Sequence, residues 1–198
     1  LDSLMKIYAN IDDLAIIIKD VLSDDLFKKV CKYEYSSENK VSSMDSWKEH
    51  MYQDLQKNKT MNPVGVVNHL ATYENGKFTK SNKIFKEVLD IIINCDWIPF
   101  QKNSDLNLNY YEYNKHAGIN WHTDGYTLNY SLYIHEEWDH NWGGETLLDT
   151  GRGLPLAVSP LPNSLLVIKN NVFHKVCPVI GPEKRKVLQM RGKFLNQE

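Results

Sequence analysis

The sequence predicts a mainly β domain, a sandwich or barrel of jelly-roll type with helices backing one face. Three observations carry that reading. Short alternating or apolar runs crowd the chain after residue 105, and glycine, proline and asparagine clusters separate them. The first hundred residues carry helical periodicity instead.

Each element follows in order. From Ile11 to Lys32, Leu14, Ile17, Ile18, Val21, Leu22, Leu26, Phe27 and Val30 recur at the spacing of one or two amphipathic helices. Ser23-Asp24-Asp25 supplies a break and an N-cap before the second. Asp45 to Gln56 predicts another helix, with Trp47, Met51 and Leu55 on one face. Asn58 to Lys80 is polar and turn-rich, with Asn62-Pro63 and Asn75-Gly76 flanking a candidate strand at Val64 to Leu70. A segment of that length and texture is expected to form part of a lid. Ser81 to Asn94 predicts a helix with Ile84, Phe85, Val88, Leu89, Ile92 and Ile93 inward, ended by Trp97-Ile98-Pro99.

Beyond residue 105, Leu106, Leu108 and Tyr110 alternate with asparagines, and Tyr111 and Tyr113 take the opposite parity. Further strands are expected at Tyr126 to Ile134, Glu145 to Asp149, Leu165 to Lys169, Phe173 to Val176 and Val187 to Phe194. No boundary is expected at residue 100. Residues 1–198 read as a single domain, with 1–100 as helical support and lid and 105–198 as the β core.

Composition narrows the function. The 198 residues are 42% hydrophobic and 24% charged, with 23 basic against 25 acidic side chains and a formal charge of −2. That balance argues against a protein that coats nucleic acid or a charged membrane. Cys31, Cys95 and Cys177 show no C-x-x-C spacing, which argues against a disulfide scaffold or a cysteine-only zinc site and for a reducing compartment. The amino-terminal residues lack the pattern of a secretory signal, and no segment approaches the roughly 20 apolar residues of a membrane span. A cytoplasmic location is expected. Only Arg152, Arg185 and Arg191 are arginine in a lysine-rich background, and only guanidinium offers a planar fork.

The residues that carry chemistry lie in the β half. In an extended strand, His122-Thr123-Asp124 points an imidazole and a carboxylate to one face. His174 lies in another strand-like segment, and Arg185 follows it at the start of the last strand. Two histidines and a carboxylate suit a facial iron(II) site, and the arginine suits a carboxylate grip. On spacing alone, a chance triplet is an equally good reading. Of the other histidines, His50, His69, His116, His135 and His140 read as surface or core. His135 and His140 are second choices for substrate contact, being near Trp138 and Trp142. Cys177 falls at an odd offset from His174 and reads as packing.

The surrounding motifs are more specific. From about Leu106 to Leu195 the chain resembles the 2-oxoglutarate- and iron(II)-dependent oxygenases, in their prolyl 4-hydroxylase-like branch. Tyr113, Gly118 and His122-Thr123-Asp124 match that branch's tyrosine, glycine and H-x-D. Leu132 to Asp139 resembles its tyrosine-bearing strand and acidic, Trp-containing turn, and Gly143 to Leu147 its G-G-E-L strand. Pro162 to Leu166 and His174-Lys175-Val176-Cys177-Pro178-Val179 resemble the segments around its distal ligand.

The resemblance implies a double-stranded β-helix with His122, Asp124 and His174 as Fe(II) ligands. It implies Arg185 as the anchor of 2-oxoglutarate, helped by Tyr133, with Tyr113 lining the same pocket. Asn129 and Ser131 share the parity of Tyr133 and are expected to face that pocket. The implied reaction consumes O₂ and 2-oxoglutarate, releases succinate and CO₂ and hydroxylates a C–H bond, with ascorbate a candidate reductant. The implied substrate is a prolyl residue of a peptide or protein; a free amino acid or small metabolite is the alternative within the family. A non-catalytic jelly-roll binding protein and a zinc hydrolase are the competing readings. Two departures stand out: the stretch from His174 to Arg185 is long, making Lys184 a rival anchor, and Arg191 occupies an expected apolar wall position.

Overall fold

Strand alternation organises the chain into two facing antiparallel sheets. The structure, a computed structural model, describes residues 6–11, 14–35, 66–74, 76–96, 98, 105–125, 128–169 and 171–193. The strands are β1 (Lys6–Ile11), β2 (Ala15–Lys19), β3 (Val66–Glu74), β4 (Lys77–Ser81), β5 (Asp105–Tyr113) and β6 (Ile119–His122). They continue with β7 (Leu128–Tyr133), β8 (Thr146–Leu148), β9 (Leu156–Val158), β10 (Leu165–Lys169), β11 (His174–Val176) and β12 (Arg185–Lys193). Two helices, α1 (Asp24–Cys31) and α2 (Lys83–Ile93), complete the described fold. The large sheet has the order β1-β2-β10-β7-β12-β5-β3-β4 and the small one β6-β11-β8-β9. This is the jelly roll expected from the sequence.

The pleat separates two cores. On the outer face of the large sheet, Leu106, Leu108 and Tyr110 of β5, Tyr130 and Leu132 of β7, and Leu188 and Met190 of β12 pack with the helices. Helix α1 contributes Leu26 and Val30, and α2 contributes Phe85, Val88, Leu89 and Ile92, at helical spacing. Ser23 and Asn82 cap these helices by accepting hydrogen bonds from Leu26 N and Ile84 N. On the inner face, Tyr111, Tyr113, Tyr133, Leu166, Ile168 and Val187 meet Ile119, Leu148 and Val176 of the small sheet.

The amino-terminal half departs from its helical expectation. Ser23 caps a helix as anticipated, but Ala15 to Lys19 is a strand between β1 and β10, not a helix. A continuous run such as Ile16-Ile17-Ile18 suits either element, and pairing with distant β10 decides it. β3 and β4 pair and extend the large sheet at its β4 edge, so residues 66–74 and 77–80 of the expected lid lie in that sheet. The remainder of that segment and the helix expected at Asp45 to Gln56 lie outside the described residues. Among the described residues, no helix is long and apolar enough to cross a membrane.

Candidate metal centre and anion pocket

The centre begins where two short strands pair. His122 closes β6 and lies opposite His174 at the start of β11, with ring centroids 4.4 Å apart. Strand β6 ends there, so Asp124 sits in the turn beyond it, not further along an extended strand as its triplet suggested. Two groups of the large sheet hold it. Asn129 of β7 donates to its Oδ2, and Nη2 of Arg191 from β12 lies 3.4 Å from its Oδ1. Gln189, one inward step along β12, donates in turn to Asn129 at 3.0 Å.

The two histidines are oriented by backbone carbonyls. His122 Nδ1 lies 2.7 Å from Asn120 O, and His174 Nδ1 lies 2.9 Å from Val172 O. A carbonyl only accepts, so each Nδ1 carries a proton and each ring turns its Nε2 inward. Those Nε2 atoms lie 3.8 Å (His122) and 3.4 Å (His174) from the Asp124 carboxylate oxygens. Burial alone would raise the Asp124 carboxyl, but the hydrogen bond from His174 and the charges of Arg191, His174 and His122 lower it to about 2. The carboxylate is therefore ionised at neutral pH.

This donor set fits a metal. The ligand atoms of His122, Asp124 and His174 lie within 4.8 Å of one another, and among the described residues they are the only such group. Ligands about 2.1 Å from one ion stand about 3 to 4 Å apart. Two imidazoles and one carboxylate are the donors preferred by non-haem iron(II), with coordination positions left open.

A second pocket opens beside the centre. Arg185 is 2% exposed, and its guanidinium lies between the rings of Tyr113 and Tyr133, 4.7 and 5.0 Å from their centroids. Among the described residues its hydrogen bonds are long, 3.4 Å from Nη2 to Tyr133 Oη and 3.4 Å to Thr146 Oγ1, and its Nε lacks a hydrogen-bond partner. Among the described residues no carboxylate pairs with it. A buried cation so poorly matched calls for an anion. Lys184, the rival anchor, is half exposed and pairs with Glu112 at 2.6 Å. Burial pushes the Tyr113 phenol up to about 12, so it stays a neutral hydroxyl.

Close packing fixes this pocket. A Cβ on Gly144, whose φ is +73°, would lie 3.2 Å from Arg185 Cδ and 3.0 Å from the Trp138 ring. Ser131 and Asn129 line the cavity between Arg185 and the triad, as does Tyr113. Sequence reasoning missed Thr146 and Gln189 and left Arg191 undecided; all three face inward. Alternation counted from Arg185 along β12 would have found the last two. His135 corrects another expectation. It is buried, its Nε2 lies 2.5 Å from Pro160 O, and its ring packs 4.5 Å from Trp138, so it is not at the pocket mouth. His140 is exposed, 3.4 Å from Ser159 Oγ.

Comparison with known proteins follows the same lines. Residues 107–190 match the 2OG-Fe(II) oxygenase superfamily as a protein family. A search of curated proteins by sequence gave no match. Among solved structures, a Pseudomonas putida prolyl-4-hydroxylase is similar at 16% identity and a TM-score of 0.56, with 92% of this chain and 93% of that one covered. A Trichoplax adhaerens prolyl hydroxylase, solved with a hypoxia inducible factor peptide fragment, is similar at 12% identity and 0.55, covering 92% and 84%. The viral collagen prolyl hydroxylase of Paramecium Bursaria Chlorella virus-1 is similar at 11% and 0.52, covering 90% and 94%. The site-bearing segment, residues 107–190, is thus similar to the 2OG-Fe(II) oxygenase superfamily, on a fold shared with prolyl hydroxylases.

Proposed function

We propose that the protein is a 2-oxoglutarate- and Fe(II)-dependent dioxygenase that hydroxylates a C–H bond, with a prolyl residue of a peptide or protein as substrate. The observation that carries this reading is the buried Arg185 guanidinium, short of partners, in the cavity shared with the His122, Asp124 and His174 cluster. A metal hydrolase has no use for a second carboxylate anchor, and a simple binding module has no use for the triad. The proline assignment rests on the structural neighbours, and ascorbate as a reductant rests on resemblance alone.

In this reading His122, Asp124 and His174 hold Fe(II), and Arg185 with Tyr133 and Thr146 holds the far carboxylate of 2-oxoglutarate. When bound, the iron and 2-oxoglutarate supply oxidative decarboxylation to succinate and CO₂ and the oxidation of a C–H bond by O₂. The chain's own work is positional. Asn120 O and Val172 O fix both imidazoles with Nε2 inward. Asn129 and Arg191 set the carboxylate, and the tyrosine rings over Arg185 keep water from its charge. Three free thiols, Cys31, Cys95 and Cys177, suit a reducing, cytoplasmic setting.

The test is a screen of proline-containing peptides and free amino acids for substrate-dependent succinate release, with mass spectrometry for a gain of one oxygen. Release coupled to oxygenation of a prolyl peptide is expected. Turnover indifferent to 2-oxoglutarate would contradict the dioxygenase, and oxygenation of non-prolyl substrates alone would contradict the proline assignment.

A further inference from the structure

A buried chain of two amides runs from β12 to the carboxylate of the centre. Counted along β12, Gln189 shares the inner face with Arg185, Val187 and Arg191, and all four line the cavity. In the ladder with β7, Gln189 lies opposite Ser131, and Arg191 lies opposite Asn129. The contact from Gln189 to Asn129 is therefore diagonal, a span that needs a long side chain. Gln189 Nε2 donates to Asn129 Oδ1 at 3.0 Å, and Asn129 Nδ2 donates to Asp124 Oδ2. Both amides are removed from solvent, with Asn129 4% and Gln189 8% exposed.

The direction of this chain follows from the chemistry of its last member. A carboxylate that serves as a metal ligand accepts hydrogen bonds and donates none. Asn129 must turn its amino group toward Asp124, which leaves its carbonyl oxygen facing β12. That oxygen needs a donor, and Gln189 supplies it. Gln189 then has its own carbonyl left over: Oε1 is buried and has no hydrogen-bond partner. Reversing the Gln189 amide would set two carbonyl oxygens against each other and favour an Asn129 that turns its oxygen to Asp124. A buried acceptor without a donor is costly. The fold carries that cost at the far end of the chain, where it keeps Asn129 the right way round.

We infer that Gln189 is a positioning residue for the metal centre. It locks the Asn129 amide with its donor toward Asp124 and so holds the Oδ2 edge of that carboxylate in place. Oδ2 is the oxygen that faces His174 Nε2, at 3.4 Å. Arg191 lies against the other oxygen, Oδ1, so the two contacts act on different edges of one ligand. Gln189 reaches the centre only through Asn129. The inference rests on His122, Asp124 and His174 binding a metal, and it adds an outer partner to that set.

The experiment measures Mn(II) binding to the metal-free protein by calorimetry, with no substrate and no turnover. Gln189→Met keeps the volume and removes the donor. Gln189→Asn keeps the amide but is one methylene short for the diagonal. Each should bind Mn(II) about 10-fold more weakly than the wild type, as expected when an outer partner of a ligand is lost. Asn129→Ala should weaken binding at least as much. Adding Gln189→Met to Asn129→Ala should change the affinity by less than about twofold, because the two residues act in series. Urea unfolding of the metal-free proteins separates this role from packing, since a residue that only fills the core would shift unfolding and leave Mn(II) affinity alone. Affinity within about twofold of the wild type in either Gln189 variant, or losses that multiply in the double variant, would overturn the inference. A wild type that binds no Mn(II) would overturn it together with the metal reading, whereas binding that ignores Gln189 would overturn it alone.

Discussion

The two faces of the large sheet divide stability from chemistry within the same strands. On β7, Tyr130 and Leu132 point to the helices, while Asn129, Ser131 and Tyr133 face the cavity. On β12, Leu188 and Met190 face the helices, while Arg185, Gln189 and Arg191 face the cavity. The outer face is an apolar seam beneath α1 and α2; the inner face carries buried charge and hydrogen-bond donors with few partners. Adjacent residues less than about 4 Å apart along the chain thus serve different ends, because the strand period is two.

That division can be broken from either side. The largest effect belongs to the inner face: His174→Ala should lower succinate release below about 1% of wild type, beyond the 10- to 100-fold cost of losing an outer partner of a ligand. Urea unfolding of the metal-free variant should move by less than about 1 kcal/mol. Leu188→Ala, fully buried on the outer face, should do the reverse. It should lose about 2 to 5 kcal/mol of stability and keep its KM for 2-oxoglutarate. A Leu188 variant that bound 2-oxoglutarate poorly at full stability would show that the faces are not separable.

A pH experiment sharpens the boundary at the end of β7. Burial holds His135 down to about 4, partly offset by its hydrogen bond to Pro160 O. The unfolded chain takes up a proton near pH 6.5 that the native state refuses. The stability is complete above about pH 6.5 and is lost as the pH falls toward 4, by up to about 3 kcal/mol. His135→Gln, which keeps a donor for Pro160 O, should flatten that slope in unfolding titrations. An unchanged slope would assign it to other groups. The smallest effect is that of Arg185→Lys, which retains charge but not the fork. It should weaken 2-oxoglutarate binding about tenfold in calorimetry, the loss of one charge-assisted bond.

Much of this division was legible in the sequence. The parity of Leu106, Leu108 and Tyr110 against Tyr111 and Tyr113 matches the two cores. The helix spacing of Phe85 to Ile92 matches α2, and the Ser23 cap marks α1. What was not legible depends on distant partners. Ile16 to Ile18 became a strand because β10 lies beside it, and local periodicity carries no trace of that. Asp124 reaches the centre from a turn, held by Asn129 and Arg191 of the other sheet. Arg191 was the nearest miss, since its inward direction follows from counting by twos from Arg185.

A metal held by His122, Asp124 and His174, with 2-oxoglutarate bound beside it, is the centre of the proposed chemistry. Anaerobic titration of the protein with Fe(II) and then 2-oxoglutarate tests this directly. A weak visible charge-transfer band should appear only when both are present and should be lost in His174→Ala. No band in the wild type, or an unaltered one in His174→Ala, would contradict the assignment of the centre.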